Sequence, residues 1–280
     1  MIYIVTVHYR QARWIGPQRR YLDRNVSEPY RLWASMPGVD ERHRRLVDRC
    51  VVADGTHAGQ LNHLAALVCE VAEPEDWLWF LDGDAFPVSD PVPYVRQALE
   101  THDLVAIRRD ENDGERQPHP SFCATTVRTW IDIRGDWSDG HCWQNAAGEW
   151  VTDVGGNLLW LLRDRSWKPI LRSNHTNLHP VWFGVYGGVI YHHGAGFRPD
   201  AVTREDYARL RRRTLGLESS SIRLLRSAAK RVRQRFEEDV IRKKAELDVQ
   251  MYERLSVDPD FWRVLSHGPE ESWNRDEVSA

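Results

Sequence analysis

The chain has 280 residues, of which 41% are hydrophobic and 28% are charged, with a formal net charge of −3; these values are ordinary for a soluble globular protein with a sizeable core. The four cysteines, Cys50, Cys69, Cys123 and Cys142, lack CxxC spacing, which favours reduced thiols in a cytosolic protein over disulfides or a zinc site. No apolar run reaches the ~18 residues of a membrane span, and the opening "MIYIVTV" is typical of a strand, not of a signal peptide.

The first 110 residues alternate between strand and helix patterns. We predict strands at 2–7, 49–55, 77–84 and 103–109 and helices at 57–72 and 91–102, with an arginine-rich polar stretch through about residue 45. This alternation is typical of a parallel sheet covered by helices, in which ligands bind outside the carboxyl ends of the strands. The polar clusters "TVHYR", "ADGTH" and "DGDAF" stand at three such ends, so we expect them to converge on one crevice.

The later chain changes character twice. A strand entering a helix is predicted in "PHPSFCATTVRTW", a helix in "DVGGNLLWLLRD" and a strand in "GVIYH". Between Thr203 and Lys244, 14 lysines or arginines stand against 6 acidic residues, and apolar residues repeat at three and four positions, which indicates a basic amphipathic helix. We therefore expect an α/β domain over 1–200 and a helical extension over 201–280.

The run "WLWFLDGD" ends a predicted strand with Asp82-Gly83-Asp84. Burying an unpaired carboxylate is costly, so something positive should meet this pair. Two carboxylates at a strand end suit a hard divalent cation, and Gly83 would allow a sharp turn and close approach of a ligand. The structural alternative is a pair of carboxylates that face solvent or cap the next helix.

Taken in order, "IVTVHYR", "VVADGT" with "HAGQLNHLA", and "WLWFLDGDAFP" resemble the landmarks of a GT-A fold glycosyltransferase of the family-2 type, over about residues 1–200. The resemblance implies a Rossmann-like mixed sheet flanked by helices and a Mn²⁺ or Mg²⁺ ion at Asp82 and Asp84. It also implies that a later histidine binds the metal. In "YHHGAG" only one histidine can face the crevice, and we favour His193 over His192. The ending "ADGTH" departs from the commoner family pattern.

The resemblance further implies a nucleotide-sugar donor linked to UDP, GDP or dTDP, an acceptor hydroxyl of unknown identity, and no nucleic acid. Asp54 would accept from the base or ribose, Thr6 and His8 would flank the base, and Gln60 or Asn62 would touch the ribose or lie on an exposed helix surface. The expected donor-binding set is Thr6, His8, Tyr9, Asp54, Gln60, Asn62, Asp82, Gly83 and Asp84; Tyr9 would stack on the base or pack under the sheet edge.

Asp153 opens the predicted helix "DVGGNLLWLL", where it would cap free N–H groups. By the resemblance it would also be the general base of an inverting transfer to the acceptor hydroxyl, with His119 and Asp139 as rival bases.

Two other functions fit parts of the pattern. A haloacid-dehalogenase-like phosphatase would use Asp82 as nucleophile and Asp84 as acid/base, and a non-catalytic domain would only bind sugar nucleotides. The basic helix would lie on an anionic membrane, pair in a homodimer or pack on its own domain. We expect a cytoplasmic protein, peripheral to the inner face of the membrane if the helix binds lipid.

Overall fold

The computed structural model describes residues 1–52, 55–112, 115–144, 148–174, 182–194, 206, 210 and 223–266. The elements are β1 (Ile2–Val7), α1 (Ile15–Asn25), β2 (Tyr30–Ser35), α2 (Glu41–Arg44), β3 (Arg49–Val51), α3 (His57–Cys69), β4 (Trp77–Asp82), β5 (Ala85–Pro87), α4 (Val92–Leu99), β6 (Leu104–Ile107), β7 (His119–Thr126), α5 (Val127–Asp132), β8 (Cys142–Gln144), β9 (Trp150–Thr152), α6 (Gly156–Leu161), β10 (Trp167–Ile170), β11 (Gly184–Tyr186), β12 (Ile190–His192), α7 (Arg223–Val257) and α8 (Arg263–Ser266).

A seven-stranded sheet of order β10-β6-β7-β4-β1-β2-β3 forms the centre of the molecule. Its neighbouring strands are parallel except for β7, which runs antiparallel to both β4 and β6. The predicted mixed α/β sheet flanked by helices is therefore confirmed. The strand β2 was not predicted, because it lies inside the arginine-rich stretch; it pairs in parallel with β1, Val5 opposite Trp33.

Both faces of this sheet are covered. On β1, Val5 and Val7 pack into the core beneath α3, whereas Ile2 and Ile4 pack into the opposite core with residues of α1 and α4. Side chains alternate between the two faces of a strand, so a strand buried on both sides is apolar at every position. This explains the unbroken apolar run 77–81 in β4.

A smaller antiparallel sheet of order β11-β12-β5 stands next to the carboxyl end of β4. The strand β5 follows Asp84 directly, and β12 pairs with it so that His192 lies opposite Ala85. The chain is thus returned, more than 100 residues later, to the two carboxylates.

The helical extension packs on the α/β domain. Leu247, Met251 and Leu255 of α7, joined by Phe261 and Leu265, share a buried cluster with Trp14, Tyr21, Phe86 and Tyr191. This contact confirms the C-terminal helix, while the predicted boundary at 200/201 falls outside the described residues. In the part of the chain that the structure describes, no helix has the length and apolar composition needed to cross a membrane.

Candidate active site

A cleft of about 430 Å³ opens where β1 and β4 end. All three polar clusters predicted at strand ends contribute to its walls, together with residues of β7 and β12 and of the segments after β6 and before α6. The lining residues include His8, Tyr9, Gln11, Trp14, Gly55, His57, Gln60, Asp82, Gly83, Asp84, Arg109, His119, Asp153 and His192.

The carboxylate of Asp82 is buried and surrounded by histidines. Its Oδ1 lies 3.3 Å from Nε2 of His57, and its Oδ2 lies 3.8 Å from Nδ1 of His119 and 3.6 Å from Nε2 of His192. Burial raises the pKa of Asp82, against the opposing effect of His57 and His192. Oδ1 is buried without a hydrogen-bond partner among the described residues. A buried acceptor of this kind is unfavourable unless a ligand satisfies it.

Asp84 meets the same histidine, since its Oδ1 lies 3.5 Å from Nε2 of His192. Burial lowers the pKa of His192, but the carboxylates of Asp84 and Asp82 outweigh it and raise the pKa above its ordinary value. His192 therefore bridges the two aspartates.

The predicted orientation of the histidine pair is wrong. His193 faces the opposite side of β12, where its Nε2 lies 2.7 Å from Oδ1 of Asp248 and its Nδ1 lies 2.9 Å from the hydroxyl of Tyr191. The pairing of β12 with β5 sets this orientation, and it could not be read from "YHHGAG" alone. His192 thus takes the place near the carboxylates that we had expected for His193.

The side chains present fit a divalent cation. Asp82, His119 and His192 offer ligand atoms that all lie within 4.8 Å of one another. Burial and the nearby Arg109 hold the pKa of His119 well below its usual range, so its imidazole is neutral and able to act as a ligand. The oxygen Oδ1 of Asp82, which has no hydrogen-bond partner among the described residues, adds a further ligand atom. Carboxylate and imidazole ligands together suit several divalent metals, manganese among them.

Gly83 lies in the turn after β4 and lines the cleft, and its lack of a side chain is also required by close packing. A Cβ atom there would lie 2.6 Å from the carbonyl oxygen of Val7 and 2.8 Å from Nδ1 of His8. Both distances are far below van der Waals contact, so any larger residue would push β4 away from the end of β1.

Arg109 lines the cleft and forms a buried network of ion pairs. It contacts Glu115 through two nitrogens, at 2.9 and 2.8 Å, and Oδ2 of Asp153 at 2.9 Å. Asp153 lines the cleft with a side chain that is 41% exposed. Its predicted role as helix cap is wrong, because α6 has Gly155 at its N-cap without a side-chain cap. Within that turn the carboxylate of Asp153 accepts only from the adjacent Val154 amide, and the Gly156 amide donates to the backbone carbonyl of Asp153 instead.

The rival bases separate clearly. His119 lines the cleft, whereas Asp139 is exposed and does not border it.

The remaining expected donor ligands divide into two groups. His8, Tyr9 and Gln60 line the cleft. Thr6 is fully buried within β1 and does not border it. Asn62 is turned away, because its amide donates to Asp136 and its oxygen accepts from the amide of Trp137. Asp54 lies outside the described residues.

Sequence reasoning missed His57 and Arg109, which line the cleft. It also missed two supporting residues: Gln18, which donates to the carbonyls of Asp82 and Ala85, and Glu115, which binds Arg109. His57 ends the cluster "ADGTH" and Arg109 follows the strand "DLVAI", so both stand where ligands of a parallel sheet collect. Gln18 and Glu115 had no signal, because one lies within a helix and the other in a loop.

The chain matches no family model and no curated protein sequence. Solved structures with a similar arrangement include the galactosyltransferase LgtC with donor and acceptor sugar analogs (13% identity, 60% of this chain and 73% of that chain, TM-score 0.39). A second is the mannosyltransferase PcManGT from Pyrobaculum calidifontis in complex with GDP-Man and Mn²⁺ (9% identity, 91% of this chain and 75% of that chain, TM-score 0.44). A third is S. aureus TarS 1-349 (11% identity, 95% of this chain and 90% of that chain, TM-score 0.41). At these identities and scores the similarity concerns only the arrangement of the chain, so we infer the function from the residues of the cleft.

Proposed function

We propose that this protein is a metal-dependent glycosyltransferase that moves a sugar from a nucleotide-diphosphate sugar to an acceptor hydroxyl. The observation that carries the proposal is the buried pair Asp82 and Asp84 at the end of β4, facing a cleft and approached by His57, His119 and His192. Carboxylate oxygens are the ligands that hard divalent cations prefer, and a cation bound here together with a diphosphate would complete the site.

Asp82, His119 and His192 would hold Mn²⁺ or Mg²⁺. Asp84, whose Oδ1 lies 3.5 Å from Nε2 of His192, would be the further carboxylate beside the cation. When bound, the cation supplies positive charge that stabilises a departing diphosphate.

His8 and Tyr9 border the part of the cleft beside β1 and would contact the nucleoside. Gln60 of α3 accepts from the hydroxyl of Ser35 and donates to the carbonyl of Gly55, so it would shape the wall beside them. The donor would be linked to UDP, GDP or dTDP, and a screen of nucleotide sugars identifies which.

Asp153 is our candidate for the general base of an inverting transfer. Its carboxylate is partly exposed in the cleft and held in place by Arg109. Arg109 also has a two-point contact with Glu115, so it keeps a partner when Asp153 accepts a proton from the acceptor hydroxyl. His119 is the rival base; its proximity to Asp82 fits a metal ligand better.

A phosphatase is less well supported. Enzymes of the haloacid-dehalogenase type need a serine or threonine and a lysine beside the aspartate pair. Among the described residues that line the cleft there is no serine, threonine or lysine.

The basic helix α7 carries exposed basic side chains in its first half. Lys230, Arg231 and Arg235 are exposed there, whereas the second half of the helix packs on the domain. An anionic membrane that presents a lipid-linked acceptor, or a second copy of the chain, would bind this half. Flotation with anionic vesicles and light scattering of the protein alone would distinguish the two from a helix that only packs on its own domain.

The proposed function is tested by screening nucleotide sugars with Mn²⁺ by thermal shift, followed by assay of donor hydrolysis and transfer. A ligand at 100 times its dissociation constant stabilises the fold by about 2.7 kcal/mol, which is readily measured. We expect one nucleotide family to stabilise the protein in Mn²⁺ but not in EDTA. Hydrolysis of a generic phosphomonoester without any nucleotide-sugar binding would favour the phosphatase. Binding without turnover on any acceptor or on water would favour a non-catalytic domain.

A further inference from the structure

Asp248 is a buried carboxylate on the face of α7 that packs against the α/β domain, and only 7% of it is exposed. One of its oxygens contacts Nε2 of His193 at 2.7 Å, and the other pairs with Nη1 of Arg13. These two partners belong to segments far apart in sequence: His193 directly follows β12, whereas Arg13 lies between β1 and α1. The neighbour of each, His192 and Trp14, lines the cleft. A single side chain of the extension therefore connects two walls of the candidate active site.

The first connection leads to the aspartate pair. The backbone amide of His193 donates to the carbonyl of Asp84 at 3.1 Å, and its ring is packed by Trp14 at 4.4 Å between centroids and by Phe183 at 5.0 Å. His192, the neighbour of His193, faces Asp82 and Asp84. Fixing the ring of His193 thus fixes the strand that presents His192.

The second connection leads to the segment after β1. The guanidinium of Arg13 lies 4.0 Å from the ring centroid of Tyr252, whose hydroxyl donates to the carbonyl of Arg13 at 3.1 Å. The next residue, Trp14, packs edge-on against the same Tyr252 ring and lines the cleft. The helix α7 therefore contacts this wall at three points: the guanidinium of Arg13, the backbone carbonyl of Arg13 and the ring of Trp14.

We propose that Asp248 is a positioning residue that couples docking of α7 to occupation of the cleft by a nucleoside diphosphate and its divalent cation. The inference deepens the proposed function and rests on it for the identity of the ligand. If docking of α7 favours the bound arrangement of both walls, then a bound ligand must stabilise the docked helix to the same extent, because coupling between two sites is reciprocal. A helix that only covers the apolar surface of the domain would stabilise the fold, but ligand binding would not stabilise its docking.

The test compares Asp248→Asn with Asp239→Asn, a control on the same helix whose carboxylate is exposed and contacts only Arg242 and Lys243 among the described residues. Hydrogen exchange is followed over residues 9–14 and 190–194. Affinities for Mn²⁺ alone, and for UDP and GDP with Mn²⁺, are measured by calorimetry well below the melting temperature. We expect Asp248→Asn to speed exchange in both segments and to weaken nucleotide binding about 5- to 150-fold, the usual range of such coupling.

The wild-type protein gives the reciprocal measurement. Nucleotide with Mn²⁺ should slow exchange over residues 244–255 of α7, although these residues lie outside the cleft lining. Normal exchange and normal affinity in a folded Asp248→Asn protein would overturn the proposal, as would an equal loss in Asp239→Asn.

Two further measurements distinguish a failure of this inference from a folding defect of the variant and from a failure of the proposed function. If Asp248→Asn does not fold, Arg13→Gln breaks one connection alone; faster exchange over 9–14 supports the proposal, and unchanged exchange there overturns it. If the wild type binds no nucleotide, the proposed function fails. The exchange rates and the affinity for Mn²⁺ alone then decide whether Asp248 positions the two walls.

Discussion

The side-chain amide of Gln18 donates to the backbone carbonyl of Asp82 at 2.9 Å and to that of Ala85 at 2.8 Å. Because the amide nitrogen is used twice as a donor, the oxygen of Gln18 must be the atom that faces Nε2 of His8, at 3.1 Å. His8 therefore carries its proton on Nε2 and turns Nδ1 toward Gly83. One fully buried glutamine thus shapes the turn that holds the aspartates and selects the tautomer of a cleft residue.

Replacing Gln18 by leucine should destabilise the fold strongly. Two buried carbonyls and a buried imidazole N–H would lose their partner, and each such loss costs about 1–3 kcal/mol. We expect urea denaturation to show a free energy of unfolding lower by about 3 kcal/mol or more. The matched control is Gln234→Leu on the exposed face of α7, which should change stability by less than about 0.5 kcal/mol. Equal effects would show that the Gln18 hydrogen bonds contribute little.

His8 should make the protein less stable as the pH falls. Burial lowers the pKa of His8 from 6.5 to about 4. Below pH 6.5 the unfolded chain binds a proton at His8 that the folded chain takes up only near pH 4, so stability is lost across that interval. At about 1.4 kcal/mol per pKa unit the loss is about 3 kcal/mol.

The measurement for His8 is the difference in unfolding free energy between wild type and His8→Gln at pH 7 and at pH 4. Other groups titrate equally in both proteins, so the difference isolates His8. We expect the wild type to lose more unfolding free energy than His8→Gln as the pH falls from 7 to 4. A difference that stays constant would mean that His8 takes up its proton at an ordinary pH.

Asp153→Asn should separate catalysis from binding. Asparagine keeps the size of the side chain, and Arg109 retains Glu115, so fold and donor affinity should stay near those of wild type. Loss of the proton acceptor should slow transfer by about 10²- to 10⁴-fold. Asp139→Asn, at an exposed position outside the cleft, is the control. Near-normal turnover in the Asp153 variant would move the base to His119 or indicate a retaining mechanism.

The contact between α7 and the domain should contribute to stability. Met251 is fully buried, so Met251→Ala should lower the free energy of unfolding by about 2–5 kcal/mol. Val257, at the end of the same helix, is 84% exposed, and Val257→Ala should change it by less than about 0.5 kcal/mol. Thermal or urea denaturation of the two variants checks both values. A Met251 variant as stable as wild type would mean that the helix does not depend on this face.

Local pattern was sufficient to predict the strands β1 and β4, the helix α3 and the convergence of three strand ends, because covered strands and amphipathic helices have distinct periodicities. It failed for β2, whose sequence "YRLWAS" is hidden among arginines and prolines. The predicted role of Asn62 is wrong because its side chain donates to Asp136, a residue of a loop that is distant in sequence and that only the fold brings close.

The histidine pair shows the same limit at the site. Alternation along a strand predicts that one histidine faces the carboxylates, but which one depends on the register between β12 and β5. Likewise, the pairing of Arg109 with Glu115 and Asp153 joins three segments that only the fold brings together.

The most direct test of the account is calorimetric titration of the best nucleotide from the screen into wild type with Mn²⁺, wild type with EDTA, and Asp84→Asn with Mn²⁺. A divalent cation held by Asp82 and Asp84 predicts tight binding only in the first titration, with similar losses in the other two, each about tenfold or more for a lost ion contact worth at least 1.4 kcal/mol. The control Asp139→Asn should bind like wild type. Equal affinity in all titrations, or no nucleotide binding by the wild type, would contradict the account.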